Sequence, residues 1–124
     1  MTLAGSCLCG AIRFASPGPV AAATACHCGQ CRKLSGHIWS DADVPRDTLA
    51  ITGTPRWYQS SAKVRRGFCP TCGAFLFWDA PSLPTIAISL GAIDGPTGLA
   101  LESHIFTAQA ADYAPLPDDG VPRR

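Results

Sequence analysis

Short alternating apolar segments dominate the hydrophobic pattern of this chain. In residues 85–90, Ile86 and Ile88 alternate with small or polar residues and would share one side of an extended strand. Further strand-like segments lie at 11–14, 19–25, 37–42, 56–59, 63–68, 74–78 and 101–107. Only residues 29–35 and 45–49 favour short helical turns. The pattern therefore predicts a mainly β fold.

Length and composition favour one folded domain. The chain has 124 residues, of which 47% are hydrophobic and 15% charged, a folded composition rather than a disordered one. Glycine (12) and proline (11) are spread along the chain, as expected for short elements joined by turns. We expect residues 1–107 to form a single β domain. Residues 108–124, rich in proline and aspartate, are predicted to form an irregular tail.

Charge and hydropathy argue against two classes of partner. The net charge is +1, and the basic run KVRR at 63–66 is best explained as the edge of a strand, so we expect no nucleic acid partner. No segment approaches the roughly 20 apolar residues of a membrane span, and no signal peptide pattern is visible. We therefore expect no membrane partner and a cytoplasmic location. In that reducing compartment, clustered cysteines are more often metal ligands or catalytic thiols than disulfides.

Two cysteine pairs predict a structural zinc site. In FCPTCG at 68–73, a tight turn containing proline aims the sulfurs of Cys69 and Cys72 at one point. Cys7 and Cys9 in SCLCG would lie about 6–7 Å apart on a straight strand, so this segment must bend to bring the sulfurs to the roughly 4 Å that a shared zinc requires. Together the four cysteines would close a structural zinc site whose binding free energy stabilises the fold.

Three further cysteines predict a second site with an open position. Cys26, Cys28 and Cys31 fall within six consecutive residues, and three protein ligands with a free fourth position are typical of catalytic zinc. The same trio is also compatible with free thiols, with a disulfide, or with a fourth ligand such as His104. His27, between two of these cysteines, is predicted to be a partly exposed imidazole that hydrogen-bonds a nearby loop rather than a ligand.

Four motifs carry a family resemblance: GSCLCGAIRF, ACHCGQCRKLSG, FCPTCGAFLF and SLGAIDGPTGLALESHIFT, in this order. Over residues 4–107 the sequence resembles the glutathione-dependent formaldehyde-activating enzymes, also called S-(hydroxymethyl)glutathione synthase-like proteins. The resemblance implies two small antiparallel sheets with zinc-bearing loops, similar to the folds of methionine-R-sulfoxide reductases and Rab-binding zinc proteins. It also implies a single zinc-binding β domain with a structural zinc on Cys7, Cys9, Cys69 and Cys72 and a catalytic zinc on Cys26, Cys28 and Cys31.

The activity of that family implies a carbon–sulfur lyase with small-molecule partners, a thiol and an aldehyde. Glutathione as co-substrate would combine with formaldehyde to give S-hydroxymethylglutathione through a zinc-held thiolate. Three thiolates suit zinc to hold a fourth sulfur, and with three protein ligands this zinc should be the labile one. Arg32 and Lys33 follow the last ligand directly, and they either pair with glutathione carboxylates or remain solvated. Trp39 would form a pocket wall or pack in the core, and His104 would be a proton donor or a satisfied strand histidine.

Two other functions stay open from the sequence. One is a zinc-stabilised carrier or binding module that holds a thiol without catalysis. The other is a thiol redox enzyme of the sulfoxide reductase type, which methionine sulfoxide turnover would favour. That class needs a nucleophilic cysteine outside its zinc sites, whereas all seven cysteines here belong to one of the three groups.

Overall fold

The computed structural model, which describes residues 2–124, consists mainly of β-strands. Ten strands, numbered β1 to β10 along the chain, span Leu3–Ser6, Arg13–Ser16, Ala21–Cys26, Trp39–Pro45, Ala50–Thr52, Arg56–Gln59, Arg65–Phe68, Phe75–Asp79, Thr85–Ser89 and Ser103–Ile105. The same residues contain one α-helix, α1, at Gly29–Ser35, and short 3₁₀ turns at Arg46–Thr48, Leu90–Ala92 and Thr107–Gln109. None of these helices is long and apolar enough to cross a membrane. The predicted mainly β fold is confirmed.

The strands form two sheets. One has three strands in the order β1-β2-β5, and the other has seven in the order β10-β3-β4-β9-β8-β7-β6. Neighbouring strands are antiparallel except β10, which runs parallel to β3 at the edge of the larger sheet. The two sheets expected from the family resemblance are therefore present. The larger one exceeds the small sheet that was expected, and it includes this parallel pair.

The two sheets share one hydrophobic core. Leu3 and Phe14 of the small sheet pack in one cluster with Val44, Phe77 and Ile88 of the large sheet, and each is at most 3% exposed. The rings of Phe14 and Phe77 meet edge to face with centroids 5.5 Å apart. Full burial of each such side chain contributes about 1.5–3 kcal/mol to folding. This core holds the small sheet against one face of the large sheet.

The opposite face of the large sheet carries a second, smaller cluster. Adjacent residues of a strand point to opposite faces, so Ile88 of β9 lies in the main core while Ala87 lies in the second cluster. Ala87 packs there with Cys26, Cys31 and Trp39. Two of the predicted metal ligands are thus placed on the face of the large sheet that the small sheet does not cover.

The C-terminal tail returns to β10. The backbone N–H of Arg124 donates to the carbonyl of His104, and the N–H of His104 donates to the carbonyl of Pro122, both at 2.8 Å. His104 also forms an isolated parallel bridge with Arg123. These contacts fasten the end of the chain to the edge strand. The domain boundary predicted at residue 107 stays a prediction.

Candidate metal centres and the adjoining cavity

Four cysteines from two loops meet at one point. Cys7 and Cys9 lie in the loop after β1, and Cys69 and Cys72 lie in the turn between β7 and β8. Their sulfurs all lie within 4.8 Å of one another, with the Cys9 sulfur 3.6 Å from that of Cys7 and 3.7 Å from that of Cys69. Two sulfurs on one tetrahedral zinc are about 4 Å apart. The four-cysteine group can therefore hold a metal ion.

The turn between β7 and β8 prepares two of these sulfurs for a metal. The backbone N–H groups of Thr71 and Cys72 both donate to the sulfur of Cys69 at 3.4 Å, which holds this sulfur in place within the turn. Gly73 has a φ of 80°, a left-handed conformation that glycine adopts at no steric cost. The chain then turns back, and the N–H of Cys69 donates to the carbonyl of Ala74 at 3.0 Å.

Crowding makes it costly for all four thiols to ionise without a cation. The backbone N–H of Ala11 favours the Cys9 thiolate, but desolvation and the neighbouring thiols outweigh it and raise the pKa of Cys9 to about 11. In contrast, backbone hydrogen bonds, chiefly that from Ala74, lower the pKa of Cys72 to about 6. The Cys72 thiol thus ionises readily while the Cys9 thiol resists ionisation, and a bound dication would stabilise both as thiolates.

The second group, called the trio below, comprises Cys26, Cys28 and Cys31. Cys26 is the last residue of β3, Cys28 is the N-cap of α1, and Cys31 lies in the helix. The Cys28 sulfur accepts a hydrogen bond from the Cys31 N–H at 3.3 Å, and the three sulfurs lie within 4.8 Å of one another. Cys26 and Cys31 are buried, whereas Cys28 is half-buried. Within residues 2–124 no fourth histidine, cysteine or carboxylate joins this group.

Arg66 on β7 is a buried cation beside the trio. It is 5% exposed, and its Nη1 donates to the Cys31 sulfur at 3.4 Å while its Nη2 donates to Gln30 Oε1 at 3.0 Å. Hydrogen bonding with Cys26 lowers the pKa of Cys31, burial opposes this, and Arg66 adds to the lowering, so that the pKa is about 6. The sequence interpretation of KVRR as a plain strand edge missed this role of Arg66.

A cavity of about 830 Å³ opens beside the trio. Its walls include the aromatic residues Trp39 and Trp78 and the charged residues Lys33 and Arg66. Trp39 is buried and stacks on Phe75 with ring centroids 4.0 Å apart, so it both packs in the second cluster and lines the cavity. A concave, largely apolar space with a few charged groups is the usual form of a small-molecule site.

Two carboxyl groups of β4 also line this cavity. Burial raises the pKa of Asp41 to about 7, although Thr24 Oγ1 donates a hydrogen bond to Asp41 Oδ1 at 2.9 Å. Burial also raises the pKa of Asp43. The ion pairs found among residues 2–124 include neither carboxyl group. Sequence reasoning did not single out these aspartates, although strand alternation places both on the same face as Trp39.

Most of the chain matches one protein family. The profile of the glutathione-dependent formaldehyde-activating enzyme family matches residues 2–109. The chain belongs to this family. The match spans both cysteine groups and the strands that line the cavity, so the predicted resemblance is confirmed. A search of curated proteins found no match.

The fold of this formaldehyde-activating family member also occurs in a crystal structure of a Rhodobacter sphaeroides protein. The two chains are 24% identical and superpose with a TM-score of 0.61. The alignment covers 77% of this chain and 91% of the other. At this level of identity the similarity concerns the fold alone.

In this family member the histidine between Cys26 and Cys28 is buried. His27 is 6% exposed, whereas a partly exposed imidazole was predicted, and its Nε2 lies 2.9 Å from Nδ1 of His104. Nε2 of His104 lies 2.8 Å from Oδ2 of Asp119 in the tail. Both ring nitrogens of His104 are therefore engaged, which fits a satisfied strand histidine rather than a fourth ligand of the trio. These contacts connect the C-terminal tail, through Asp119, His104 and His27, to the segment that carries the trio.

Arg32 and Lys33, which were predicted to pair with glutathione carboxylates, lie in different places. Lys33 lines the cavity beside the trio. Arg32 instead donates from Nη1 to the carbonyl of Gln109 at 2.7 Å and borders a separate recess near Tyr113. The structure thus brings Lys33, but not Arg32, to the cavity wall. Glutathione binding by either residue stays a prediction.

Proposed function

We propose that this protein combines glutathione with formaldehyde to give S-hydroxymethylglutathione, as a zinc-dependent carbon–sulfur lyase whose reverse reaction cleaves a carbon–sulfur bond. One observation carries the proposal. The sulfurs of Cys26, Cys28 and Cys31 lie within 4.8 Å of one another at the wall of a cavity of about 830 Å³. Membership of the formaldehyde-activating family supports the same thiol and aldehyde as substrates.

The donor set of the trio fits zinc with one exchangeable position. Three cysteine sulfurs can share one ion, and the described part of the chain offers no fourth ligand there. Zinc bound in this way would hold the sulfur of an incoming thiol as a thiolate. The four-cysteine group has a full set of ligands and would serve as a structural site.

The residues around the trio supply charge balance and an apolar wall. Three thiolates and one dication carry a net charge of −1, which the buried guanidinium of Arg66 offsets through its hydrogen bond to Cys31. Lys33 places a cation at the cavity wall, where a glutathione carboxylate would bind. Trp39 and Trp78 give the cavity an apolar wall. Polar contacts made beside them are stronger than in water, because the local dielectric constant is lower.

Replacement of one trio ligand tests the proposal. Cys28→Ser removes a thiolate but keeps a side-chain oxygen that can cap α1, so the fold should survive. We predict that the variant binds one zinc fewer per chain and loses about 100-fold or more of the catalysed rate, because the thiol loses its anchoring ion. Exchange between free and glutathione-bound formaldehyde is measured by NMR exchange spectroscopy, and the metal by elemental analysis.

A matched cysteine variant serves as the control. Cys72→Ser removes a thiolate from the four-cysteine group, so its main effect should be a lower melting temperature. A Cys28→Ser protein with unchanged zinc content and rate would contradict the proposal. A wild-type protein that binds glutathione without accelerating exchange would instead be a carrier.

A further inference from the structure

Strand alternation and register place Asp41 close to the trio. Asp41 shares the cavity face of β4 with Trp39, whereas the next residue of the strand, Ala42, points to the opposite face and is fully buried. In the antiparallel pairing of β3 with β4, Cys26 is opposite Trp39 and Thr24 is opposite Asp41. Asp41 is therefore a diagonal neighbour of Cys26, a relationship with a typical separation of about 7–8 Å. A small molecule held at the trio would fill such a gap.

The surroundings of Asp41 suit proton exchange. Its hydrogen bond comes from the Thr24 hydroxyl at 2.9 Å, and its burial raises its pKa to about 7. The charged or titratable groups that act on it are Asp43 on its own strand, Cys31 of α1 and Arg66 of β7. A carboxyl group that is partly buried, faces a substrate-sized cavity and titrates near neutral pH is available both as an acid and as a base.

The proposed reaction needs such a group. When the thiol adds to formaldehyde, a sulfur–carbon bond forms and the π electrons of the carbonyl move to oxygen. The thiol loses its proton from sulfur, and the new alkoxide must gain a proton to become the hydroxymethyl product. One proton thus leaves sulfur and one arrives at oxygen, with no net change in electrons. Cysteine thiolates of the trio cannot carry that proton while they bind a metal ion.

We propose that Asp41 is the catalytic residue that carries the proton from the thiol sulfur to the aldehyde oxygen. As a carboxylate, Asp41 accepts the proton of the incoming thiol. As a carboxylic acid, it then donates that proton to the oxygen that develops negative charge. In the reverse direction it takes the hydroxyl proton and returns it to the departing thiolate. This role rests on the proposed function, because it assigns a step within that reaction.

A pair of carboxyl variants tests this role. Asp41→Asn keeps the shape of the side chain and cannot carry a proton, so the catalysed exchange rate should fall by about 10²–10⁴-fold. Its zinc content and melting temperature should match wild type, since Asp41 is not one of the three cysteine ligands and the asparagine oxygen can still accept the hydrogen bond from Thr24. Asp47→Asn removes an exposed carboxylate just beyond the end of β4 and outside the cavity wall, and its rate should stay within about threefold of wild type.

A third variant moves the titration of Asp41 without removing it. Thr24 donates to the carboxylate and so favours its charged form. Thr24→Val removes that donor and should raise the pKa of Asp41, which shifts the limb of the pH–rate profile governed by this group to higher pH. Rates are measured from pH 5 to 9 by the same NMR exchange method, at saturating glutathione. This variant also keeps the test valid if Asp41→Asn does not fold.

The possible outcomes separate the two proposals. A wild-type protein that does not accelerate exchange overturns the proposed function, and the role of Asp41 falls with it. Wild-type acceleration together with an Asp41→Asn rate within about threefold of wild type overturns only the role of Asp41. An unshifted profile in Thr24→Val overturns it as well. A large loss confined to Asp41→Asn, with a shifted profile in Thr24→Val, supports it.

Discussion

At the scale of residues, the sequence reveals the two cysteine groups better than it reveals their neighbours. Both cysteine groups were found from spacing, because ligands that are close along the chain are constrained to be close in space. Arg66 reaches the Cys31 sulfur from 35 positions away, so its role depends on how β7 lies against α1. Asp41 likewise becomes relevant only through the register of β4 with β3. Long-range placement of this kind leaves no local signal.

Arg66 is predicted to tighten metal binding at the trio. Its hydrogen bond to Cys31 favours the thiolate that a metal ion requires, so Arg66→Gln should weaken zinc at this site by about 10–100-fold. Arg56→Gln removes an exposed guanidinium from β6 and should leave the affinity unchanged. Competition with a chromophoric chelator measures both variants. Equal affinity in Arg66→Gln and Arg56→Gln would show that the buried guanidinium does not support the site.

At the scale of elements, the local pattern predicts segments with strong alternation and misses those without it. Residues 85–90 were predicted as a strand and contain β9, and residues 29–35 coincide with α1. The strand β1, Leu3–Ser6, was missed because its sequence LAGS has one large apolar residue, and β5 was missed because it has three residues. Such strands form because their neighbours provide hydrogen bonds and a core to pack against.

Asp79 on β8 links elements that are distant in sequence. It is fully buried and accepts hydrogen bonds from Nη2 of Arg46 at 2.6 Å and from Nε of Arg65 at 2.8 Å. Burial alone would raise the pKa of Asp79, but the two arginines outweigh it and hold this pKa below its usual range. Its contribution to stability is therefore present above the unfolded value of about 3.9 and is lost as the pH falls through the lower folded value.

The corresponding prediction concerns stability and its dependence on pH. Asp79→Asn should lower the free energy of unfolding at pH 7 by about 2–3 kcal/mol, because two partly buried guanidinium groups lose a charged acceptor. The difference from wild type should shrink as the pH is lowered from 5 towards 3. Asp47→Asn, at an exposed position, should change stability by less than about 0.5 kcal/mol. Urea unfolding measures all three proteins, and equal stability of Asp79→Asn and wild type at pH 7 would contradict the prediction.

At the scale of the whole molecule, the two cysteine groups belong to different parts of the fold. Cys7 and Cys69 pack in the core between the sheets, whereas Cys26 and Cys31 pack on the other face of the large sheet. The four-cysteine group joins residues 60 positions apart, as in the contact of Cys9 with Cys69, while the trio spans six consecutive residues. A metal ion that links residues far apart in sequence restricts the chain more than one that links near neighbours, because closing a long loop costs more chain entropy than closing a short one. Metal in the four-cysteine group should therefore stabilise the fold much more than metal in the trio.

The central claim is that the trio is an open site and the four-cysteine group a closed one. The most direct measurement is a chelator titration of the zinc-loaded protein under reducing conditions, followed by metal analysis, thiol counting and thermal melting. We predict that the trio releases its zinc first with a small change in melting temperature, that glutathione delays this release, and that unfolding accompanies loss of the second zinc. Simultaneous release of both ions, or release from the trio last, would show that the trio is closed and would contradict the account.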